Sequence, residues 1–198
     1  VLFVSATKTD TIAFLEEVVA NTFGDKPIYL ADGGQDIEIF EAVDGIGERL
    51  IQIEGSAPAY EETVVYDAFA SSYKSAFPGE DASQTPYTGR SYDAAWLLIH
   101  GTAWSYYQES ISGRITGLGA ARGLRMVSSG PQIDVGPTNW NELRANFELG
   151  ISVDVRGASG PLDFNSTTGE TTSAIDIWFM DQTPGGRFEV VTLRRYDP

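Results

Sequence analysis

Gly157-Ala158-Ser159-Gly160-Pro161-Leu162-Asp163-Phe164-Asn165 separates an alternating α/β body from two late strands. Two glycines, a proline and an Asx pair mark a turn-rich passage and not a continuing element. Downstream, Ser173 to Phe179 and Arg187 to Leu193 flank Thr183-Pro-Gly-Gly186, which predicts a β-hairpin. Upstream, strands and helices alternate. Val1 to Ser5 reads as a strand, and Thr9 to Asn21 as a helix with Ile12, Leu15 and Val19 on one face. Lys26 to Ala31 is the second strand, Asp36 to Val43 a short helix and Leu50 to Ile53 the third strand. Tyr60 to Phe77 then repeats at helical spacing through Val64, Ala68, Tyr73 and Phe77. A β-α-β-α-β-α order implies a parallel sheet with helices on its faces.

Between Gly79 and Gly89 the composition turns to Pro, Gly, Ser and Asp, the mark of a linker. Ser91 to Gln108 is apolar nearly all round and predicts a helix buried on most sides. Ser110 to Arg125 reads as a glycine-interrupted helical segment. Thr138 to Phe147 reads as a helix capped by Thr138, and Ile151 to Val155 as the one short strand between 89 and 155.

Composition removes several kinds of function. The chain has 198 residues, 42% of them hydrophobic, enough for a sizeable core. It has no cysteine and one histidine, His100, so disulfides, thiolate metal sites and Ser-His chemistry have little to draw on. A net charge of −15, spread along the chain, opposes nucleic acid and anionic membrane surfaces. No run approaches the roughly 18 apolar residues of a spanning helix.

Several segments together resemble one family. Val1 to Ser5 with its helix, Tyr29-Leu-Ala-Asp-Gly-Gly34, Ile53-Glu-Gly-Ser-Ala-Pro58, Ser91-Tyr-Asp-Ala-Ala-Trp-Leu-Leu98, Gly157 to Asn165 and Ile175-Asp-Ile-Trp178 follow one another as in type I periplasmic solute-binding proteins of the branched-chain amino acid (Leu/Ile/Val) class. The chain resembles the C-terminal half of such a protein. The resemblance implies an α/β fold of two lobes with hinge crossings. Residues 1–86 would form the α/β portion of the second lobe, 87–158 a helical portion of the first, and 159–198 the hinge return and last strands of the second. It further implies an N-terminal half supplied upstream or by a companion chain.

The implied function is non-enzymatic: capture of a small polar ligand between two lobes for delivery to an ABC-type importer, with no cofactor and no catalytic residue. A receptor's ligand-sensing domain is the alternative with the same fold; an α/β hydrolase fragment or a structural surface domain would be a different class. The implied partners are the ligand, an amino acid or related metabolite, and a membrane transporter or receptor. The implied location is periplasmic or extracellular, with lipid anchoring through a segment outside this sequence.

Ligands of parallel sheets sit beyond the strands' carboxyl ends. That principle singles out Thr7, Lys8 and Thr9 after the first strand, Gly34 and Gln35 after the second, and Glu54 after the third. Hydroxyls, helix-start amides and the lysine together suit an anion; the competing reading is an ordinary helix start capped by Thr9 or Asp10. From the resemblance, Tyr87, Arg90 and Tyr92 contribute an aromatic wall or polar contact, against which stands simple packing of Tyr92 and solvation of Arg90. The acid that the resemblance expects for a ligand ammonium falls near Ile51-Gln52, where no carboxylate stands, so an α-amino acid ligand is the weaker fit. Ser5-x-x-Lys8 lacks the further elements of a serine acyl-transferase. Asp163-x-Asn165 reads as a turn, Gly117-x-Gly119 lacks the strand that a nucleotide loop needs, and His100 reads as a satisfied core histidine.

Overall fold

The computed structural model describes residues 2–3, 7–21, 26–59, 63–84, 87–109 and 114–197. Ser5, and with it the Ser5-x-x-Lys8 reading, lies outside them, as do Tyr60, Ser110 and the termini of the chain. In chain order the elements are β1 (Leu2–Phe3), α1 (Lys8–Ala20), β2 (Ile28–Leu30), α2 (Ile37–Glu41), β3 (Ile53–Pro58), α3 (Val64–Ala76), α4 (Thr88–Trp104), α5 (Gly117–Gly123), β4 (Gln132–Asp134), α6 (Trp140–Glu148), β5 (Asp154–Gly157), β6 (Gly160–Pro161), β7 (Ile175–Gln182) and β8 (Phe188–Tyr196). Contacts divide the chain into two compact units, residues 1–59 with 173–198, and residues 60–172. The sequence divisions at 86/87 and 158/159 both fall inside the second unit.

Among its described residues the first unit holds a five-stranded sheet in the order β1-β2-β3-β7-β8. β1, β2 and β3 run parallel, β7 lies antiparallel to β3, and β7 and β8 form the expected hairpin. Ile28, Leu30, Ile53, Trp178 and Met180 point to one face, where they meet Leu15 and Val18 of α1 and Ile39 and Phe40 of α2 in one core. Strand alternation explains why these residues share a face.

The third strand begins later than the sequence suggests. Ile46–Gln52 forms a 3₁₀ helix, and β3 starts at Ile53. Leu50 supplies apolar character without strand pairing: it is buried from the helical turn while Ile51 is 92% exposed. Strand pairing thus begins three residues after Leu50.

The second unit packs α3, α4 and α6 against a small sheet of β4, β5 and β6. β4 was absent from the sequence reading, because Gln132-Ile-Asp134 has a single inward residue, Ile133. It pairs in parallel with β5 and, with Val135, Val153 and Val155, gives the helices a sheet to pack on. Val65 and Phe69 form the buried stripe of α3, one residue away from the expected Val64, which is 69% exposed. α4 buries Asp93, His100, Ala103 and Trp104 but leaves Ala94, Ala95, Leu98 and Ile99 exposed, so it is not buried on most sides. Trp104 is in the core against Phe147. The cap of α6 is Asn139, not Thr138, because Pro137–Asn139 is a 3₁₀ turn that leads into the helix.

Candidate functional site

α1 starts at Lys8, and its cap is Thr7, two or three residues before the expected Thr9 or Asp10. Thr7 Oγ1 accepts the Asp10 N–H at 3.1 Å, and its hydroxyl donates to the Asp10 carboxylate at 2.6 Å. The amides of Lys8 and Thr9 precede the first intrahelical bond and face outward from the helix start, as orphan donors do. Lys8 crosses to the next loop. Its ammonium pairs with Glu38 and, at 3.4 Å, with Asp36. The hydrogen bond to Glu38, aided by Asp36, raises the lysine pKa above its ordinary value. Thr9 is exposed.

β2 ends at a 3₁₀ turn, Asp32–Gly34, in which Asp32 accepts the Gly33 amide at 3.0 Å. Gly34 is buried, and half-buried Gln35 closes the turn by donating its N–H to the Asp32 carbonyl at 3.0 Å. The Lys8 pairings bring the start of α1 beside Asp36 and Glu38, and α1 also packs against the Asp32–Gly34 turn. Two carboxylates already neutralise Lys8 there, which weakens the anion reading in favour of a polar or cationic group.

Glu54 does not join them. It is the second residue of β3, level with Tyr29 and Phe179, and not on a loop beyond a carboxyl end. Its neighbours Ile53 and Gly55 are buried while Glu54 is half-buried, which puts it on the opposite face of the sheet. The early reading of the strand caused this misplacement.

In the second unit, Tyr87 and Tyr92 line a groove of about 390 Å³ with Phe69, Tyr73, Thr88 and Ser91. The rings of Phe69 and Tyr92 lie 4.8 Å apart, and Tyr87 is 43% exposed. Arg90 is half-buried and does not line the groove; its charge acts on Asp93.

Asp93 is the residue that sequence reasoning missed. It is 2% exposed, and its carboxylate accepts the Ala158 N–H at 2.7 Å, the Ser159 N–H at 2.7 Å and the Ser159 hydroxyl at 2.6 Å. The Gly157–Asn165 passage is thereby bound to α4. Burial pushes the carboxyl pKa up, and the three hydrogen bonds and Arg90 oppose that rise. Any side chain at 157 would overlap the Asp93 carboxylate, so Gly157 is required by close approach. An acid inside the otherwise apolar run 92–99 was the available signal.

His100 is 2% exposed and held neutral, its pKa lowered to about 4 by burial. Its Nδ1 has no hydrogen-bond partner among the described residues, so it is a core histidine but not a satisfied one. Asn165 does shape a turn, accepting the Thr167 and Thr168 amides at 2.8 and 3.1 Å. Gly119 and Gly123 lie where α5 crosses α4, against Ser105 and Gly101. Among the described residues no group of three or more acids or histidines is placed to hold a metal, and no helix is long and apolar enough to cross a membrane.

No protein-family model matches the chain, and no curated protein matches its sequence. Solved structures do match. A leucine-binding protein from Thermotoga maritima MSB8 superposes on 100% of the chain with a TM-score of 0.64 at 14% identity. A type 1 periplasmic binding protein from Bordetella pertussis Tohama I covers 97% at 0.56 and 13% identity. The fold is that of a type I periplasmic binding protein. An ABC transporter substrate-binding protein from Sphaerobacter thermophilus adds a match over 99% of the chain at a TM-score of 0.55 and 14% identity. The chain spans 44–45% of the length of these three structures. Identities this low establish the periplasmic-binding-protein fold and nothing finer.

Proposed function

We propose that the chain is part of an extracytoplasmic solute-binding protein that captures a small polar ligand and presents it to a membrane transporter. The observation that carries this reading is the parallel β1–β2–β3 arrangement, with a helix start and a glycine turn beyond its carboxyl ends, in a fold shared over 97–100% of the chain with three binding proteins. Thr7, Lys8, Thr9, Gly34 and Gln35 are the proposed contacts in the first unit. Tyr87 and Tyr92, with Phe69 and Tyr73 behind them, are those in the second. Glu54 and Arg90 are weaker members, since the first stands away from the loops and the second outside the groove. A branched-chain amino acid is one ligand within this class; the absence of a carboxylate at Ile51-Gln52 favours other polar metabolites. The exposed, uncharged face of α4 supports contact with further polypeptide of the same protein or a companion chain. Binding works by shifting a conformational population, without chemical change.

The test is a thermal-shift panel on the protein with amino acids, short peptides, amides, amines and organic anions. Stabilisation that saturates with one ligand class, and is lost in Lys8→Met and Tyr92→Ala, is the expected result. A flat response across every class overturns the proposal.

A further inference from the structure

Asn165-Ser166-Thr167 is the one Asn-x-Ser/Thr triplet in the chain, although the sequence has five asparagines. Asn165 is also the only one of the five with an acid two residues before it, Asp163. Asn-x-Ser/Thr is the acceptor pattern of N-glycosylation, and Asp-x-Asn-x-Thr is the stricter form that bacterial oligosaccharyl transferases read.

The loop presents this triplet to solvent. Every residue from Asn165 to Thr172 is exposed, and so is Asp163. The 165–172 stretch holds no aliphatic or aromatic residue, so, unlike the apolar face of α4, it has nothing that further polypeptide would gain by covering. Gly169 turns the chain with φ of +74°, and the space where a side chain would stand there is open. The turn is nonetheless ordered: the Asn165 amide donates to the Glu170 carbonyl at 2.7 Å, and the Gly169 amide donates to the Asn165 carbonyl at 2.8 Å. The Asn165 side chain is held by its oxygen alone. Oδ1 accepts the Thr167 and Thr168 amides at 2.8 and 3.1 Å, whereas Nδ2 and the Thr167 hydroxyl form no hydrogen bond among the described residues. Donors on Oδ1 stabilise the negative charge that this oxygen takes up as Nδ2 gives up a proton.

We infer that Asn165 is a glycan acceptor, charged from a glycan carried on a polyprenyl diphosphate; this rests on the extracytoplasmic reading, because such transfer takes place beyond the cytoplasmic membrane. Nδ2 attacks the anomeric carbon, and an N–C bond forms as the bond from that carbon to the diphosphate oxygen breaks. The lipid diphosphate leaves with the electron pair, and the Nδ2 proton passes to the transferase. Asp163 offers the transferase a negative charge beside the acceptor, and the Thr167 hydroxyl offers it a hydrogen-bonding group.

The experiment incubates the folded chain with a bacterial oligosaccharyl transferase and its glycan–polyprenyl diphosphate, and reads intact mass, with fragmentation to place the addition. One glycan per chain, on Asn165, is the expected result. Asn165→Gln and Thr167→Ala should abolish the mass shift, Asp163→Asn should lose it with this enzyme, and Thr167→Ser should retain it; an unchanged melting temperature in each variant separates loss of the acceptor from loss of the fold. A folded chain that stays bare while its tryptic peptide 157–187 is modified overturns the inference, because the fold would then close the site, and so does a failure of both. The same peptide, taken from protein recovered from its native host, tells the two readings apart. A glycan on Asn165 supports both, and a bare Asn165 on exported protein overturns the glycan acceptor alone. Retention of the protein in the cytoplasm overturns the extracytoplasmic reading and the acceptor with it.

Discussion

Asp93 and His100 sit two turns apart on one helix, both nearly inaccessible, and they respond to pH in opposite directions. The folded pKa of His100 is lowered from 6.5 to about 4. The unfolded chain therefore binds the proton more readily, and stability is lost as pH falls from about 6.5 toward 4. The loss is at most about 3 kcal/mol. His100→Phe should remove it, seen as a flatter urea-unfolding free energy between pH 6.5 and 4.5. The folded pKa of Asp93 is raised by burial. The folded state then holds the proton more tightly, so its contribution declines as pH rises from the unfolded value through the folded one. Asp93→Asn should lose that slope. Asp93→Ala should cost about 1–3 kcal/mol by leaving the Ala158 and Ser159 amides buried without an acceptor. Amide exchange at those two positions would speed up together if the carboxylate holds them as described. Lys8 differs, because its side chain is 40% exposed. Lys8→Met should leave the melting temperature almost unchanged, and a fall in ligand affinity without a fall in stability would mark the lysine as a contact.

At the scale of elements, β3 and β7 are joined by a fit that only one residue permits. Trp178 is fully buried, and its indole occupies the space where a side chain at 55 would stand. Gly55→Ala should destabilise by about 1–3 kcal/mol through overpacking, measured by chemical denaturation, with increased exchange in β7. The hairpin of β7 and β8 was legible in advance because its turn, Thr183-Pro-Gly-Gly186, sits between alternating runs and is closed by paired bonds between Thr183 and its neighbours. β4 was not legible, since three residues with one inward side chain leave no periodic trace. The start of β3 was misjudged for the converse reason: Leu50-Ile-Gln-Ile53 has strand composition but winds as a 3₁₀ turn, and Glu54 was displaced from loop to strand in consequence.

On the scale of the molecule, each unit has its own apolar core. Phe147 is fully buried and meets Trp104 edge-on at 5.3 Å. Phe147→Ala should cost about 3–5 kcal/mol. Exchange protection should fall first across β4, β5 and α6, before it falls in β2 and β3; a uniform loss through both sheets would show that the two cores unfold as one.

Alternating apolar runs and glycine-proline punctuation determined, without any structure, that this chain makes a parallel α/β sheet with a terminal hairpin, and its charge and its lack of cysteine narrowed the partners. These signals are local and periodic, so each segment carries its own. Which side chains meet was decided only by tertiary structure. Asp93 reaches Ala158 across 65 positions, and Lys8 reaches Glu38 across 30. Contacts of that kind depend on how distant segments pack, and no spacing within a single element records them.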